Sequence, residues 1–255
     1  MTTPGSEGVT KMAAHIGKRD IRDLLLVALT ISTGAVDALS WLGLGKVFSA
    51  FMTGNIAFLG FRVGGAPGPS VPRVLVATAA FALGVFVSAR IVRRARDSDS
   101  LWPRRVVVSL AMALVLQAGF LALWAAVSGH PSTGAGDVLI AFSGVAMGMQ
   151  TAAIFSLGVR ADFTTAATAT LAVLMGDLAG WSQTRGERRR LAGTIVGLFV
   201  GAVIGGVLIV NARAWAPAFP VVVTGLVITA AALAFDSGRS LGQRPASGSR
   251  KVSTA

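Results

Sequence analysis

The sequence predicts an all-α polytopic membrane protein: six transmembrane helices arranged as two inverted three-helix repeats, each with a short re-entrant segment. Three observations carry this expectation. The 255-residue chain is 53% hydrophobic and only 13% charged, where soluble domains carry about 25% charged residues, and its mean hydropathy is +0.70. Six apolar stretches are long enough, or nearly so, for the roughly 20 residues a helix needs to cross hydrocarbon. The two halves of the chain also resemble each other.

The stretches are Leu24–Leu44, Val74–Val92, Val106–Val127, Val138–Leu157, Leu191–Val210 and Pro220–Phe235, the last short unless it starts within Trp215–Phe219. Residues 1–22 are expected as a cytoplasmic tail. Their basic residues precede a span too long for a signal-peptide core and without an obvious small-residue cleavage site. Residues 23–127 form the first membrane repeat, 128–137 an external loop and 138–236 the second repeat. The Ser-, Gly- and Arg-rich residues 237–255 read as a disordered cytoplasmic tail.

Two shorter apolar runs, Phe48–Phe61 and Phe163–Leu178, need a separate decision. With six spans and the N-terminus inside, Arg93, Arg94, Arg96, Arg104 and Arg105 lie inside, and only Lys46, Arg62, Arg73 and Arg213 fall outside. If the short runs also span, the Arg93–Arg105 cluster moves outside, so the positive-inside rule favours six spans. The same clustering explains the +12 net charge as membrane orientation, and no nucleic-acid partner is expected. The same rule places both termini of this multi-pass chain on the cytoplasmic side of the membrane.

"LGVFVSARI" at Leu83–Ile91 matches "VGLFVGAVI" at Val196–Ile204, placing Gly84 on Gly197. The same shift puts Gly45 on Gly158 and Asp37 on Gln150, and a slip of two pairs Thr53 and Asn55 with Thr168 and Thr170. Three spans per repeat is odd, so the second repeat enters the membrane upside down, an arrangement that in transporters puts sites near the midplane. Gly193, Gly197, Gly201 and Gly205 make one smooth helix face, with small counterparts at Ala80, Gly84 and Ser88. Such faces let membrane helices pack closely; a glycine-lined pore wall is the other reading.

Phe48–Phe61 spans roughly 21 Å as a helix, short of the roughly 30 Å core. In "FMTGNIAFLG", Gly54 permits a tight turn and Thr53 or Asn55 can cap a new helix. The counterpart "DFTTAATATLAVLMGD" carries threonines there. Half-helix N-termini facing the midplane would offer partial positive charge to a ligand. Interfacial loops packed on the bundle are the alternative.

Asp37 lies roughly 20 Å along its helix, and Gln150 roughly 18 Å along its own. A carboxylate at such depth costs about 2.5 to 3.5 kcal/mol on insertion scales, so it needs a partner or water. Gln150 is the expected partner. In the functional reading Asp37 is a proton or cation site, with Thr53, Gly54, Asn55, Gln150, Thr168 and Thr170 lining a substrate or ion site. In the structural reading it is a protonated residue bonded to Gln150 or Ser40. Gln117 is expected in an interhelical hydrogen bond, Asp162 and Asp177 in capping or solvated roles, and Arg90 snorkelling to the interface. Trp41, Trp102, Trp124, Trp181 and Trp215 are expected as interfacial anchors.

No enzyme is expected, because no nucleophile and base, acid and base pair, or metal set assembles. There is no cysteine, and the two histidines, His15 and His130, stand apart, so no catalytic residue, metal or cofactor is assigned. The expected partners are the lipid bilayer, a small solute or a proton or cation, and a second copy of the chain should it form a homo-oligomer.

"TGAVDALSWLGLGKVFSAFMTGNIAFLG" at Thr33–Gly60, followed by "MGMQTAAIFSLG" at Met147–Gly158, resembles the YoaK-like family of small bacterial integral membrane proteins, a domain of unknown function. The resemblance covers most of the chain between the tails. Where the family pattern has Gln-Asn and Thr-Gly-Thr, this chain has Gln150-Thr151 and Thr168-Ala169-Thr170, so its second short run lacks the glycine. The resemblance implies an inner-membrane protein and names no substrate. The function expected is therefore a small-molecule or ion transporter or channel with a midplane site at the repeat interface. The alternative is a non-transporting membrane scaffold or assembly partner packed through its glycine-rich faces.

Overall fold

The computed structural model describes residues 4–93, 100–158, 167–180 and 184–236. Among them the chain is helical throughout, with no strand. The helices are α1 (Pro4–Gly43), α2 (Met52–Val63), α3 (Val71–Val92), α4 (Arg104–Ala126), α5 (Thr133–Phe155), α6 (Ala167–Leu178), α7 (Arg185–Asn211) and α8 (Ala218–Asp236). Six segments are long and apolar enough to cross a membrane: Gly17–Gly43, Val71–Val92, Arg104–Ala126, Thr133–Phe155, Arg185–Asn211 and Arg213–Phe235. Exposed Leu75, Phe86, Val115, Phe199, Val210, Leu226 and Leu233 cover the outside of these helices, a pattern suited to lipid rather than water.

Two expected boundaries change. The first helix begins at Pro4, so the residues expected as a tail continue α1. Ser132 caps α5 through the Ala135 N–H at 3.4 Å, which starts the fifth helix inside the expected external loop. The last span is extended at its start, as anticipated, by a 3-10 turn at Arg213–Trp215. Local chemistry sets the other ends. Pro72 sits in the first turn of α3, and Thr184 with Glu187 forms a reciprocal capping box on α7. Gly45, Gly158 and Gly180 take positive φ where α1, α5 and α6 stop.

The bundle is built on two long helix pairs, α1 with α7 and α3 with α5. α4 packs on α5, α8 on α1, and α4 meets α8; the short helices α2 and α6 lie on α3 and α7 respectively. Both long pairs run parallel and touch backbone to backbone through glycine. A Cβ at Gly34 would collide with the Leu198 carbonyl oxygen, and one at Gly201 with the Ile31 carbonyl. In the other pair, Gly148 meets the Phe81 carbonyl and Gly84 the Val145 carbonyl in the same way. The surroundings of Gly84 are thus repeated at Gly201. Gly197, its expected match, is less tightly held: a Cβ there would come within 3.3 Å of the Val27 oxygen. Gly205 abuts Ala35, Gly193 faces the Val27 side chain, and Ser88 shares a 2.6 Å hydrogen bond with Ser109 of α4.

One end of the bundle gathers the C-terminal ends of α1, α4 and α7 with the starts of α3, α5 and α8. There Arg73 bonds Asp137 at 3.1 Å, and the Trp124 indole donates to the Arg213 carbonyl at 2.7 Å. The opposite end joins α1 to α7 through Asp23 and Arg190 at 3.6 Å, and α3 to α4 through Arg105 and the Ile91 carbonyl. The tryptophans lie near helix ends as expected, but Trp102 and Trp124 are buried, and Trp215 is exposed; Trp181 lies outside the described residues. Arg90 extends over the Phe86 ring at 4.9 Å.

Candidate functional site

Asp37 is placed by two features of α1. Gly34, one turn earlier, brings α7 against the backbone, while Asp37, Ala38 and Trp41 continue past this contact and border open space. Beyond Gly43 the chain turns through two residues with positive φ, Gly45 at 93° and Lys46 at 64°, and runs back along α1. The turn therefore sits at Gly45 rather than at Gly54, which lies inside α2. There the missing side chain leaves room for the Phe48 and Phe51 rings.

The returning segment brings its backbone to the carboxylate. Asp37 Oδ1 accepts from the Ser49 N–H at 2.8 Å and the Ala50 N–H at 2.8 Å. Phe51 is the N-cap of α2 and offers no side-chain cap bond. Asp37 thus holds from α1 the two backbone donors that immediately precede the N-cap of α2. The carboxylate lies near the start of that helix, where the dipole favours an acidic group.

The expected partners of Asp37 bind elsewhere. The Gln150 amide donates to Thr33 Oγ1 at 2.9 Å and the Leu29 carbonyl at 3.3 Å, which ties α5 to α1 below Asp37. Ser40 instead starts a hydroxyl chain, bonding Ser49 at 2.6 Å, which bonds Ser143 of α5 at 2.7 Å. Ser143 donates onward to the Ile140 carbonyl at 3.1 Å, and this fixes the direction of the chain. Asn55 is fully buried and grips the backbone of Phe48, accepting from its N–H at 3.0 Å and donating to its carbonyl at 2.7 Å. It is therefore a brace for the returning segment and not a ligand group.

Three further expected positions do not reach the site. Thr53 and Thr168 are exposed, and Thr170 is buried; none of them borders the cavity beside Asp37. The interhelical bond expected of Gln117 is not formed, as both polar atoms of its amide lack a partner among the described residues. Asp177 is paired with Arg188 of α7, and Asp162 lies outside the described residues. No group of three or more His, Cys, Asp or Glu side chains suited to a metal occurs among the described residues.

The cavity beside Asp37 measures about 430 Å³, within the usual range for small-molecule sites. Trp41, Phe48 and Phe51 form its aromatic side, and Leu198 and Ala202 of α7 face them. Trp41 stacks on Phe48 with centroids 4.9 Å apart, and Phe51 meets Phe48 edge-on at 5.2 Å. Asp37 is the one ionisable residue among the cavity's described walls. The aromatic walls were missed in sequence because each ring reads alone as ordinary apolar filling.

Comparison with known proteins agrees with this membrane architecture. Residues 25–230 match the family model described as "Protein of unknown function (DUF1275)". The chain is 36% identical over 159 residues to UPF0700 transmembrane protein YoaK of Bacillus subtilis (strain 168), covering 62% of this chain and 68% of that protein. No solved structure matches. With the family model spanning most of the chain and six membrane-length helices in the fold, the protein is a multi-pass membrane protein in contact with the lipid bilayer, and it belongs to the DUF1275 family of YoaK-like proteins.

Proposed function

We propose that the protein is a small-molecule or ion transporter or channel, with the Asp37 cavity as its substrate site at the interface of two inverted repeats. The observation that carries this reading is the position of the cavity. Its walls come from α1 and the returning segment of the first half and from α6 and α7 of the second, so relative movement of the halves would change access to it.

Repeated contacts support the inverted halves. The backbone contacts in the two long pairs correspond at one offset for α1 and α5, 34 to 148 and 31 to 145, and at another for α3 and α7, 84 to 201 and 81 to 198. The first offset also takes Asp23 to Asp137, and the second takes Arg73 to Arg190. The ion pairs Arg73–Asp137 and Asp23–Arg190 are therefore counterparts at opposite ends of the bundle. On this register the counterpart of Asp37 is Thr151, not Gln150, so only the first half carries the carboxylate. α2 and α6 are both 12 residues long, too short to span, and α2 starts at the depth of Asp37, as a re-entrant segment would.

Orientation follows from charge. Lys18, Arg19, Arg22, Arg93, Arg104, Arg105, Arg185, Arg188 and Arg189 lie at or near the Asp23–Arg190 end, which the positive-inside rule assigns to the cytoplasm of a bacterial inner membrane. The scaffold alternative relies on a glycine face open to a partner. Gly34, Gly84, Gly148, Gly201 and Gly205 are all engaged within the chain, which leaves that alternative without its expected surface. The test is flux into proteoliposomes. Wild-type protein should carry a cation- or proton-linked flux that Asp37→Asn abolishes with membrane insertion unchanged. Flux equal in the two proteins, or none from wild type with any solute tried, would overturn the reading.

A further inference from the structure

We infer that the Asp37 cavity binds a hydrophobic organic cation. The inference rests on the transporter reading and names the substrate class of the same site. Three features of the cavity select this chemistry. The single carboxylate among its described walls disfavours anions. Trp41, Phe48 and Phe51 line the same space, with Trp41 stacked on Phe48 and Phe51 edge-on to it, and aromatic walls attract cations, most strongly those that carry little hydration shell. The remaining described walls are Gly, Ala and Leu, matched to the apolar body of an organic ligand rather than to a sugar or an amino acid.

The cavity does not suit a bare metal ion. Hard cations take six to eight oxygen ligands, and here the carboxylate stands alone while its Oδ1 already accepts two backbone N–H bonds. Those bonds fix the orientation of the carboxylate. A cation with dispersed charge needs no ring of oxygens. The charge can rest near Asp37 while its apolar groups fill the volume between Trp41 and Ala202. The depth of the site suits such a ligand as well, because hydrophobic cations already partition toward the bilayer.

The experiment uses the purified full chain in nanodiscs of zwitterionic lipid, with equilibrium dialysis of tetraphenylphosphonium against empty nanodiscs. Tetraphenylborate, of the same shape and opposite charge, is dialysed in a separate experiment, because the two ions precipitate together. The expected result is saturable binding of one cation per chain, weakened at least tenfold by Asp37→Asn, with no saturable binding of the borate. Ala202→Leu, which fills the cavity from α7 without touching the carboxylate, should weaken cation binding similarly. Equal binding in wild type and both variants, or saturable binding of the borate as strong as that of the cation, would overturn the inference. If no saturable binding appears while Asp37-dependent flux persists, the ligand class is wrong and the transporter reading stands. If the cation binds as expected and no solute moves, the site is correct and the transporter reading fails.

Discussion

Replacing Asp37 by alanine removes the acceptor of two 2.8 Å bonds from the Ser49 and Ala50 N–H groups. Both donors lie in the returning segment, where no intrahelical carbonyl can take them, and Ser49 and Ala50 are themselves buried. Each orphaned buried donor costs about 1–3 kcal/mol, so Asp37→Ala should destabilise the protein by roughly 2–6 kcal/mol. Asp37→Asn keeps an acceptor oxygen in the same place and loses only the charge-assisted part of the bonds, about half their strength; its cost should be about 1–2 kcal/mol. At roughly 2–4 °C per kcal/mol for a chain of this size, alanine should lower Tm by about 4–24 °C and asparagine by about 2–8 °C. Thermal unfolding of the purified protein in detergent, followed by size-exclusion chromatography, measures both. An alanine variant as stable as wild type, or an asparagine variant as damaged as alanine, would refute the role of Asp37 in holding the returning segment. The difference between the variants also matters for function, because it makes Asp37→Asn a test of charge rather than of folding.

Two other predictions concern the frame around the site. Gly201→Ala should lower Tm because its Cβ meets the Ile31 backbone; overpacking costs about 1–3 kcal/mol, against a helix-propensity gain of about 1 kcal/mol. Gly206→Ala, with nothing within 4 Å of its added Cβ, should be neutral or stabilising, and a reversed order of the two would contradict the close α1–α7 contact. Single Ala66→Cys and Gly186→Cys variants, in a chain with no other cysteine, should label oppositely with an impermeant maleimide in intact cells: Ala66→Cys from outside, Gly186→Cys only after lysis. Labelling of both from the same side would refute six crossings.

Much of this fold was legible because a bilayer imposes local rules. Span length and hydropathy located the six long helices to within a few residues at most ends. The shortness of Phe48–Phe61 separated α2 from them before any contact was known. The same reasoning misplaced Gly54 in a turn, because glycine both permits turns and makes room for large neighbours. Only the Phe48 and Phe51 rings packed against it distinguish the two uses. Asn55 was expected to line a substrate or ion site, and the structure gives it a different set of partners. Its bonds go to the backbone of Phe48, seven residues earlier, and no sequence pattern fixes the path of that segment.

The sequence by itself determined that the chain lives in a membrane, how many long helices it has, and that Asp37 is exceptional. These follow from composition and from the cost of a charge in hydrocarbon, which are local quantities. Only the tertiary structure decided what Asp37 binds and which glycines meet a neighbouring helix. Stretches of Ala, Val, Leu and Gly keep the same hydropathy when shifted by a helical turn, so Gly197 and Gly201 are equivalent matches for Gly84 in sequence. Backbone approach removes that degeneracy, because a glycine is required only where another helix comes too close for a Cβ. The carboxylate's partner is likewise a matter of three-dimensional path. Main-chain N–H groups carry no sequence signature, and it is the reversal at Gly45 and Lys46 that brings those of Ser49 and Ala50 to Asp37.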